Sequence, residues 1–321
     1  MPAEAEHRSA AIVSVVVPTF NRLRFLRPAI ESVFAQTFAD WELIVADDGS
    51  DLETKQYLQA LADDPRVTVI WLPHTGKPSM VRNAGVSKAA GEYIAFLDSD
   101  DLWAPRKLER QIETLRERVN CRWSYTAFLQ VDESGDALPE EARRPWIPHE
   151  GDILEQVVTG RAQIRTPSVL ASRELIAQAG GFDEGLLSGE DFDLWLRLAL
   201  RSEVAIVDEP LVYVRRHPNS HTSDWQSAFA GRDSFLKRHQ QLVGGRRRAL
   251  MREERMRNAL KLAATHAELG AQGRMFRALW ESLASSWPYP RWWLGGIKTV
   301  LLRPLLPRRL LEFHRKRRRG A

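Results

Sequence analysis

One cysteine, Cys121, stands among 321 residues, which excludes an internal disulfide and a cysteine-built zinc cluster. Such scarcity fits a reducing compartment. Long hydrophobic runs are missing too, since no apolar stretch reaches the ~20 residues of a bilayer-crossing helix. The nearest, WWLGGIKTVLLRPLLPRRLL, is broken by Lys298, Arg303, Pro304 and Pro307. An export signal is not expected: residues 1–10 are polar and charged, and the first apolar run, AIVSVVVP, ends at Pro18. No internal repeat is present. Uniform basicity is also absent. The chain carries 46 Lys and Arg against 42 Asp and Glu, but the final 31 residues hold ten of the bases and one acid. The remaining 290 residues are therefore slightly acidic, with 36 bases against 41 acids. A nucleic-acid-binding surface is not expected from such a body.

What is present suits a folded chain. A hydrophobic content of 44% with 27% charged residues is that of a globular protein and excludes disorder for most of the length. Up to about residue 130, short β-branched runs (12–17, 43–46, 67–72, 93–97, 122–129) alternate with amphipathic stretches of helical spacing (23–36, 53–61, 79–88, 105–119). Alternation of this kind predicts an α/β fold with a parallel sheet covered by helices. In such sheets ligands bind beyond the carboxyl ends of the strands. Residues 131–151, rich in Pro, Glu and Arg, have no period and read as a surface loop. Beyond it the pattern predicts helices over 152–159, 173–179 and 191–201, with strands over 163–171, 204–207 and 211–215. From about residue 223 to 286 only helical spacing remains.

The strand ends carry the chemistry. The first ends in VVVPTFNR, releasing Pro18, Thr19, Phe20 and Asn21 at the sheet edge, and the second ends in ADDGS. Asp47 and Asp48 before Gly49 fit a turn and helix cap, and equally a carboxylate that accepts from a nucleobase N–H or a ribose hydroxyl. Arg82 and Asn83 lie on a helix before the fourth strand, which ends in Asp98-Ser99-Asp100-Asp101. Three carboxylates in four positions repel one another unless a cation sits among them. A hard divalent metal, Mn²⁺ or Mg²⁺, shared with phosphate oxygens would relieve that repulsion.

The order VVVPTFNR, VADDGS, RNAG, GEYIAFLDSDD and WAPRKLERQ resembles the nucleotide-sugar half of family 2 inverting glycosyltransferases with the GT-A fold. The resemblance covers roughly residues 11–220. It implies a Rossmann-like mixed sheet flanked by helices, with a helical C-terminal extension. It implies further that Asp48 pairs with the base, that Pro18, Thr19, Phe20 and Asn21 line the nucleoside pocket, and that Arg82 lies near base and phosphate. Asp98-Ser99-Asp100 matches the Asp-X-Asp signature, with Asp98 on ribose, Ser99 beside it and Asp100 on the metal. Lys77 is a candidate phosphate contact. The resemblance also places the catalytic base at the Glu-Asp pair opening the helix after GGFDEGLLSG, which points to Asp191, with Glu190 orienting it or touching the acceptor. Such a base is needed because an acceptor hydroxyl must lose its proton as it attacks the anomeric carbon. A histidine after the last strand, His217, is implied as a metal or diphosphate contact. Arg215 and Arg216 are candidate phosphate or acceptor contacts, and Trp146, in the irregular loop, a candidate acceptor contact.

The expected layout is a catalytic domain over 1–222, comprising a donor half over 11–130 and an acceptor half over 150–222. A helical extension over 223–286 and an aromatic, basic tail over 287–321 follow. Tryptophans, leucines and arginines closed by a basic run are the composition of a membrane-interface segment. The sequence therefore predicts a cytoplasmic enzyme held peripherally on the inner face of the cell membrane, using a nucleoside diphosphate sugar, preferably uridine-based, and a glycan or lipid-linked acceptor. A dimerisation role for the tail is the competing reading. Two rival functions are a sugar-phosphate nucleotidyltransferase, which would need a Gly-rich loop after the first strand, and a catalytically silent nucleotide-sugar-binding scaffold, which would lack Asp98, Asp100 or Asp191.

Overall fold

A computed structural model describes residues 11–138, 146–186, 188–217, 225–240, 245–268, 271–286 and 294. Four strands form the first half of the sheet: β1 (Val13–Thr19), β2 (Trp41–Asp47), β3 (Val67–Trp71) and β4 (Tyr93–Phe96). They pair in parallel in the spatial order β3-β2-β1-β4. Their near-continuous Val, Ile and Leu content follows from burial on both faces. Val13, Val15 and Val17 join one hydrophobic cluster and Val16 the other, as the two-residue period of a strand requires. Helices α1 (Leu23–Phe34), α2 (Leu52–Leu61) and α3 (Pro78–Lys88) connect these strands. Gly85 lets α3 lie close on β1, because a Cβ there would come within 2.4 Å of Val16 Cγ1.

The second half changes strand direction. β5 (Leu102–Trp103) and α4 (Lys107–Glu117) precede the long β6 (Cys121–Val131), which is followed by α5 (Leu154–Thr159). After a 3₁₀ turn at Thr166–Ser168, β7 (Val169–Ser172) runs antiparallel to both β4 and β6. Helices α6 (Arg173–Ala179) and α7 (Glu190–Ala199) lead to β8 (Glu203–Arg215), which is parallel to β6 and antiparallel to β5. Among the described residues the sheet has eight strands in the order β3-β2-β1-β4-β7-β6-β8-β5.

The expected parallel arrangement therefore holds for β1 to β4, and the whole sheet is mixed. The run read as a strand over 163–171 starts only at Val169, because the turn containing Pro167 precedes it. The two strands expected over 204–207 and 211–215 are one strand, whose register against β6 shifts where Pro210 enters the ladder. A proline has no N–H to donate, so an irregular position accommodates it.

Three helices follow, α8 (Trp225–Gln240), α9 (Gly245–Glu268) and α10 (Gln272–Ser286). The first is no loose appendage. Phe235 and Leu236 of α8 and Met251 of α9 join the cluster containing Trp123 and Trp195. His239 Nε2 lies 2.7 Å from Asp193 Oδ1 on α7, with both side chains 1% exposed. Helices α9 and α10 share a smaller cluster of Met256, Ala263, Met275, Ala278 and Leu279. The tail over 287–321 lies outside the described residues, apart from Leu294.

Candidate active site

The first two strand ends are laced together by Asn21. Its backbone, at φ 50°, takes the left-handed conformation that Asn tolerates better than most residues. Its N–H donates to Ser50 Oγ at 2.9 Å, and its Oδ1 accepts from the Asp51 N–H at 2.6 Å. Phe20, beside this turn, is 38% exposed, and its ring stacks on His74 at 4.0 Å and 19°. Pro18 and Thr19 remain in β1 opposite Ala46 and Asp47. Thr19 is buried, and among the described residues its Oγ1 has no hydrogen-bond partner.

Asp48 anchors the loop that carries His74. Its Oδ1 accepts from the Thr75 N–H at 2.7 Å and the Thr75 hydroxyl at 2.8 Å, and its Oδ2 accepts from the Gly76 N–H at 2.9 Å. His74 Nδ1 lies 2.9 Å from the Asp48 carbonyl oxygen and 3.1 Å from Oδ2. The stacked Phe20–His74 platform thus rests on the carboxylate assigned by resemblance to the base. His74 escaped sequence reasoning because only the fold brings it to Phe20. Lys77 begins α3 but extends its Nζ to within 3.4 Å of the Glu184 carbonyl.

The acid cluster after β4 is matched by guanidinium groups. Arg82 Nη2 donates to Asp98 Oδ1 at 2.7 Å, and Arg22 Nη1 to Asp100 Oδ2 at 2.5 Å. The Arg215 N–H donates to Asp101 Oδ1 at 2.9 Å, while Arg215 Nη1 donates to the Asp100 carbonyl at 3.1 Å. Ser99 is buried between them. Burial, with Asp100 and Asp98 alongside, holds the Asp101 carboxyl well above its usual range, although the Arg215 N–H opposes this. Mutual repulsion therefore does not by itself demand a metal here, because Arg22, Arg82 and Arg215 supply cationic partners.

A divalent ion would still find donors. His217 Nε2 lies 2.9 Å from Asp100 Oδ2, and its ring stacks on Phe25 at 5.0 Å. Among the described residues no group of three or more His, Cys, Asp or Glu side chains could by itself enclose an ion. Hard cations of the Mg²⁺ type are commonly held by one or two carboxylates plus substrate phosphate oxygens. Asp100 and His217 fit that incomplete kind of site.

Arg82 joins the two halves of the sheet. Its side chain is 8% exposed, and besides Asp98 it reaches Glu190 Oε1 at 3.1 Å on α7. Burial alone would lower its proton affinity, but the Asp98 and Glu190 carboxylates raise it. Asn83 completes the tether: its amide donates to the Phe182 carbonyl and to Glu184 Oε1, both at 2.8 Å, and its Oδ1 accepts from the Phe182 N–H.

Asp191, next to Glu190, is pushed up to about 6 by burial and then by the Glu190 charge. The Phe192 N–H, Arg82 and Arg165 act in the opposite direction. Arg165, which the sequence reading did not single out, acts electrostatically on both Asp101 and Asp191. Its guanidinium stands 5.0 Å from the Phe128 ring centroid.

One candidate lies elsewhere in the fold. Trp146 packs against Tyr125 and Phe128 and donates its indole N–H to Asp208 Oδ1 at 2.6 Å, none of them a member of the acid cluster. Arg216 is exposed, and its backbone N–H continues the pairing with the Val131 carbonyl.

Residues 14–158 match the model of glycosyl transferase family 2. The chain is 30% identical over 220 residues to TuaG of Bacillus subtilis (strain 168), a glycosyltransferase named for teichuronic acid biosynthesis, covering 68% of this chain and 84% of TuaG. It is 36% identical over 104 residues to the UDP-Glc:alpha-D-GlcNAc-diphosphoundecaprenol beta-1,3-glucosyltransferase WfgD of Escherichia coli, covering 32% of this chain and 41% of WfgD. The chain spans about a third of the length of the uncharacterized glycosyltransferases of Rickettsia felis, Rickettsia bellii and Rickettsia conorii that it also matches. In fold it is similar to Staphylococcus aureus TarS 1–349 in complex with UDP-GlcNAc, with a TM-score of 0.66, 18% identity and coverage of 85% of this chain and 81% of TarS 1–349. The chain belongs to glycosyl transferase family 2, and its fold is of the GT-A type.

Proposed function

We propose that the protein is a metal-dependent, inverting glycosyltransferase that moves a sugar from a nucleoside diphosphate sugar, with uridine favoured, to a hydroxyl of a glycan or lipid-linked acceptor in cell-surface polysaccharide or glycolipid synthesis. One observation carries the reading: Arg82 bonds simultaneously to Asp98 at the donor-side strand end and to Glu190, the neighbour of Asp191. That bridge supports a shared site for the expected ribose carboxylate and the expected base.

In this reading the nucleobase lies against Phe20, and Asp98 receives the ribose. Ionised Asp191 accepts the acceptor hydroxyl's proton as the oxygen attacks the anomeric carbon, while Glu190 and Arg82 hold that end of α7 in place. Attack from the face opposite the diphosphate inverts the centre, and no covalent sugar–enzyme intermediate is needed. Asp100 and His217 would hold Mn²⁺ or Mg²⁺, which supplies charge neutralisation for the leaving diphosphate. The uridine preference is supported by TarS 1–349 having been solved with UDP-GlcNAc and by the UDP-glucose in the name of WfgD.

A thermal-shift screen of uridine, thymidine and guanosine diphosphate sugars, with and without Mn²⁺, tests this. A ligand that binds only the native state at 100 times its dissociation constant stabilises it by ~2.7 kcal/mol. At least one donor is expected to raise the midpoint, more so with Mn²⁺. No rise with any of them would remove the donor assignment.

Peripheral attachment to the anionic inner face of the cell membrane belongs to the same reading. None of the described helices is long and apolar enough to cross a bilayer. On α10, Phe276 is 53% exposed and Trp280, one turn on, 75%, while Met275, Ala278 and Leu279 are buried. Arg274 and Arg277 are exposed as well, so an aromatic and basic face leads into the tail with its ten bases. Each base near an anionic surface contributes ~1 kcal/mol of attraction. Cosedimentation with phosphatidylglycerol vesicles should fall about tenfold, ~1.4 kcal/mol, when Phe276 and Trp280 are both changed to Ser. Unchanged sedimentation would exclude this face, and a lost dimer in light scattering would assign it to self-association.

A further inference from the structure

Three guanidinium groups attend the acid cluster, and they are not equivalent. Arg82 is buried, with its side chain 8% exposed, and Arg215 is buried within β8. Arg22, in contrast, is 25% exposed, so it has a path to solvent. Its backbone is nevertheless fixed, because the Arg22 carbonyl accepts from the Phe25 and Leu26 N–H groups at the head of α1. The head of α1 is thus held by its own backbone bonds, whichever anion the Arg22 guanidinium pairs with.

The position of its charge matters more. Arg22 Nη1 lies 2.5 Å from Asp100 Oδ2, the same oxygen that His217 Nε2 approaches at 2.9 Å. Among the described residues it is this carboxylate–histidine pair that offers donors to a hard cation. A dication arriving alone must displace a charge-assisted hydrogen bond, one of the stronger kinds in a protein. It would then have few protein donors in exchange. A diphosphate changes both conditions, because it offers the planar guanidinium a bidentate anionic partner and brings oxygens of its own to the cation.

We propose that Arg22 is a displaceable stand-in cation that keeps Asp100 closed to divalent metal until a nucleoside diphosphate draws the guanidinium away. The proposal rests on the donor reading above and adds to it the order of assembly. Metal and nucleotide enter together, and the enzyme without nucleotide holds little metal. By linkage, each raises the other's affinity by one common factor.

The test is calorimetric titration of the full chain with Mn²⁺ alone, UDP alone, and UDP in the presence of Mn²⁺, for the wild type, Arg22→Gln and Arg22→Lys. Nucleotide-free Arg22→Gln is expected to bind Mn²⁺ about tenfold more tightly than wild type, inside the ~5–150-fold span of ordinary couplings. It should bind metal-free UDP more weakly, so the factor by which UDP improves Mn²⁺ binding shrinks. Arg22→Lys, which keeps the charge, should stay close to wild type for Mn²⁺ alone. Equal Mn²⁺ affinity in wild type and Arg22→Gln, with thermal midpoints confirming that both are folded, would overturn the proposal. Failure of wild type to bind UDP with Mn²⁺ would instead overturn the donor reading, so the two failures are distinguishable.

Discussion

Asp191→Asn is expected to lower sugar transfer by about 10²- to 10⁴-fold, the usual contribution of a general base. The amide has nearly the shape of the carboxylate and can still accept from the Phe192 N–H, which at present donates to Asp191 Oδ1 at 2.8 Å. What it lacks is a lone pair basic enough to take the acceptor proton. The wild type should show the matching pH dependence. With its carboxyl pushed up to about 6, Asp191 is mostly protonated at pH 5 and mostly ionised at pH 7. The specificity constant kcat/KM should therefore rise about tenfold per pH unit below that value and level off above it. Stability moves the other way. Between the ordinary value of 3.8 and about 6 the folded chain holds more of this proton than the unfolded chain, so the Asp191 contribution falls as pH rises through that window. A flat rate profile from pH 5 to 7, or turnover near wild type in the Asn variant, would take Asp191 out of the role.

Arg82→Met is expected to damage fold and function together. The guanidinium answers Asp98 and Glu190 with a side chain 8% exposed, and its charge also acts on Asp191. Removing one member of a buried charge network leaves the others unpaired and costs ~3 kcal/mol, the low end of such losses, since Asp98 and Glu190 retain some access to water. For a domain of this size that corresponds to a fall in Tm of about 6–12 °C. Loss of the cation also raises the proton affinity of Asp191, so the acid limb of the rate profile should move upward from about 6. Arg82→Lys restores a charge but cannot fork between two carboxylates, so it should recover stability more than rate. A Tm within 2 °C of wild type for the Met variant would contradict the bridging role.

Much of this architecture can be read without coordinates. Strands β1 to β4 announce themselves as short β-branched runs ending in acids or turn residues, and helices α3 and α4 open near prolines. The acidic candidates Asp48, Asp98 and Asp100 stand out because each follows a strand, whereas Glu190 and Asp191 look like ordinary helix-start acids and are singled out by the family resemblance. What stays hidden is whatever depends on pairing across the chain. β7 enters the sheet between β4 and β6 against their direction, and its four residues give no sign of that placement. β5 is two residues long, too short for any period. The cationic answers to the acid cluster are likewise nonlocal, with Arg22 and Asp100 separated by 78 residues and Arg82 and Glu190 by 108. Carboxylate repulsion marks a place that needs positive charge, but only the fold reveals that arginines already occupy it. His74 and Arg165 belong to the same class, as single polar residues in loops whose partners lie on other elements.

In the proposed function the donor site and the base are separate groups, a separation with a measurable consequence. Its most direct test is calorimetric titration of a UDP-sugar, with Mn²⁺ present, into wild type and Asp191→Asn. Affinities are expected to be equal within about threefold, less than 1 kcal/mol, in a variant whose turnover has fallen by about 10²- to 10⁴-fold. Donor affinity that collapses along with turnover would contradict it.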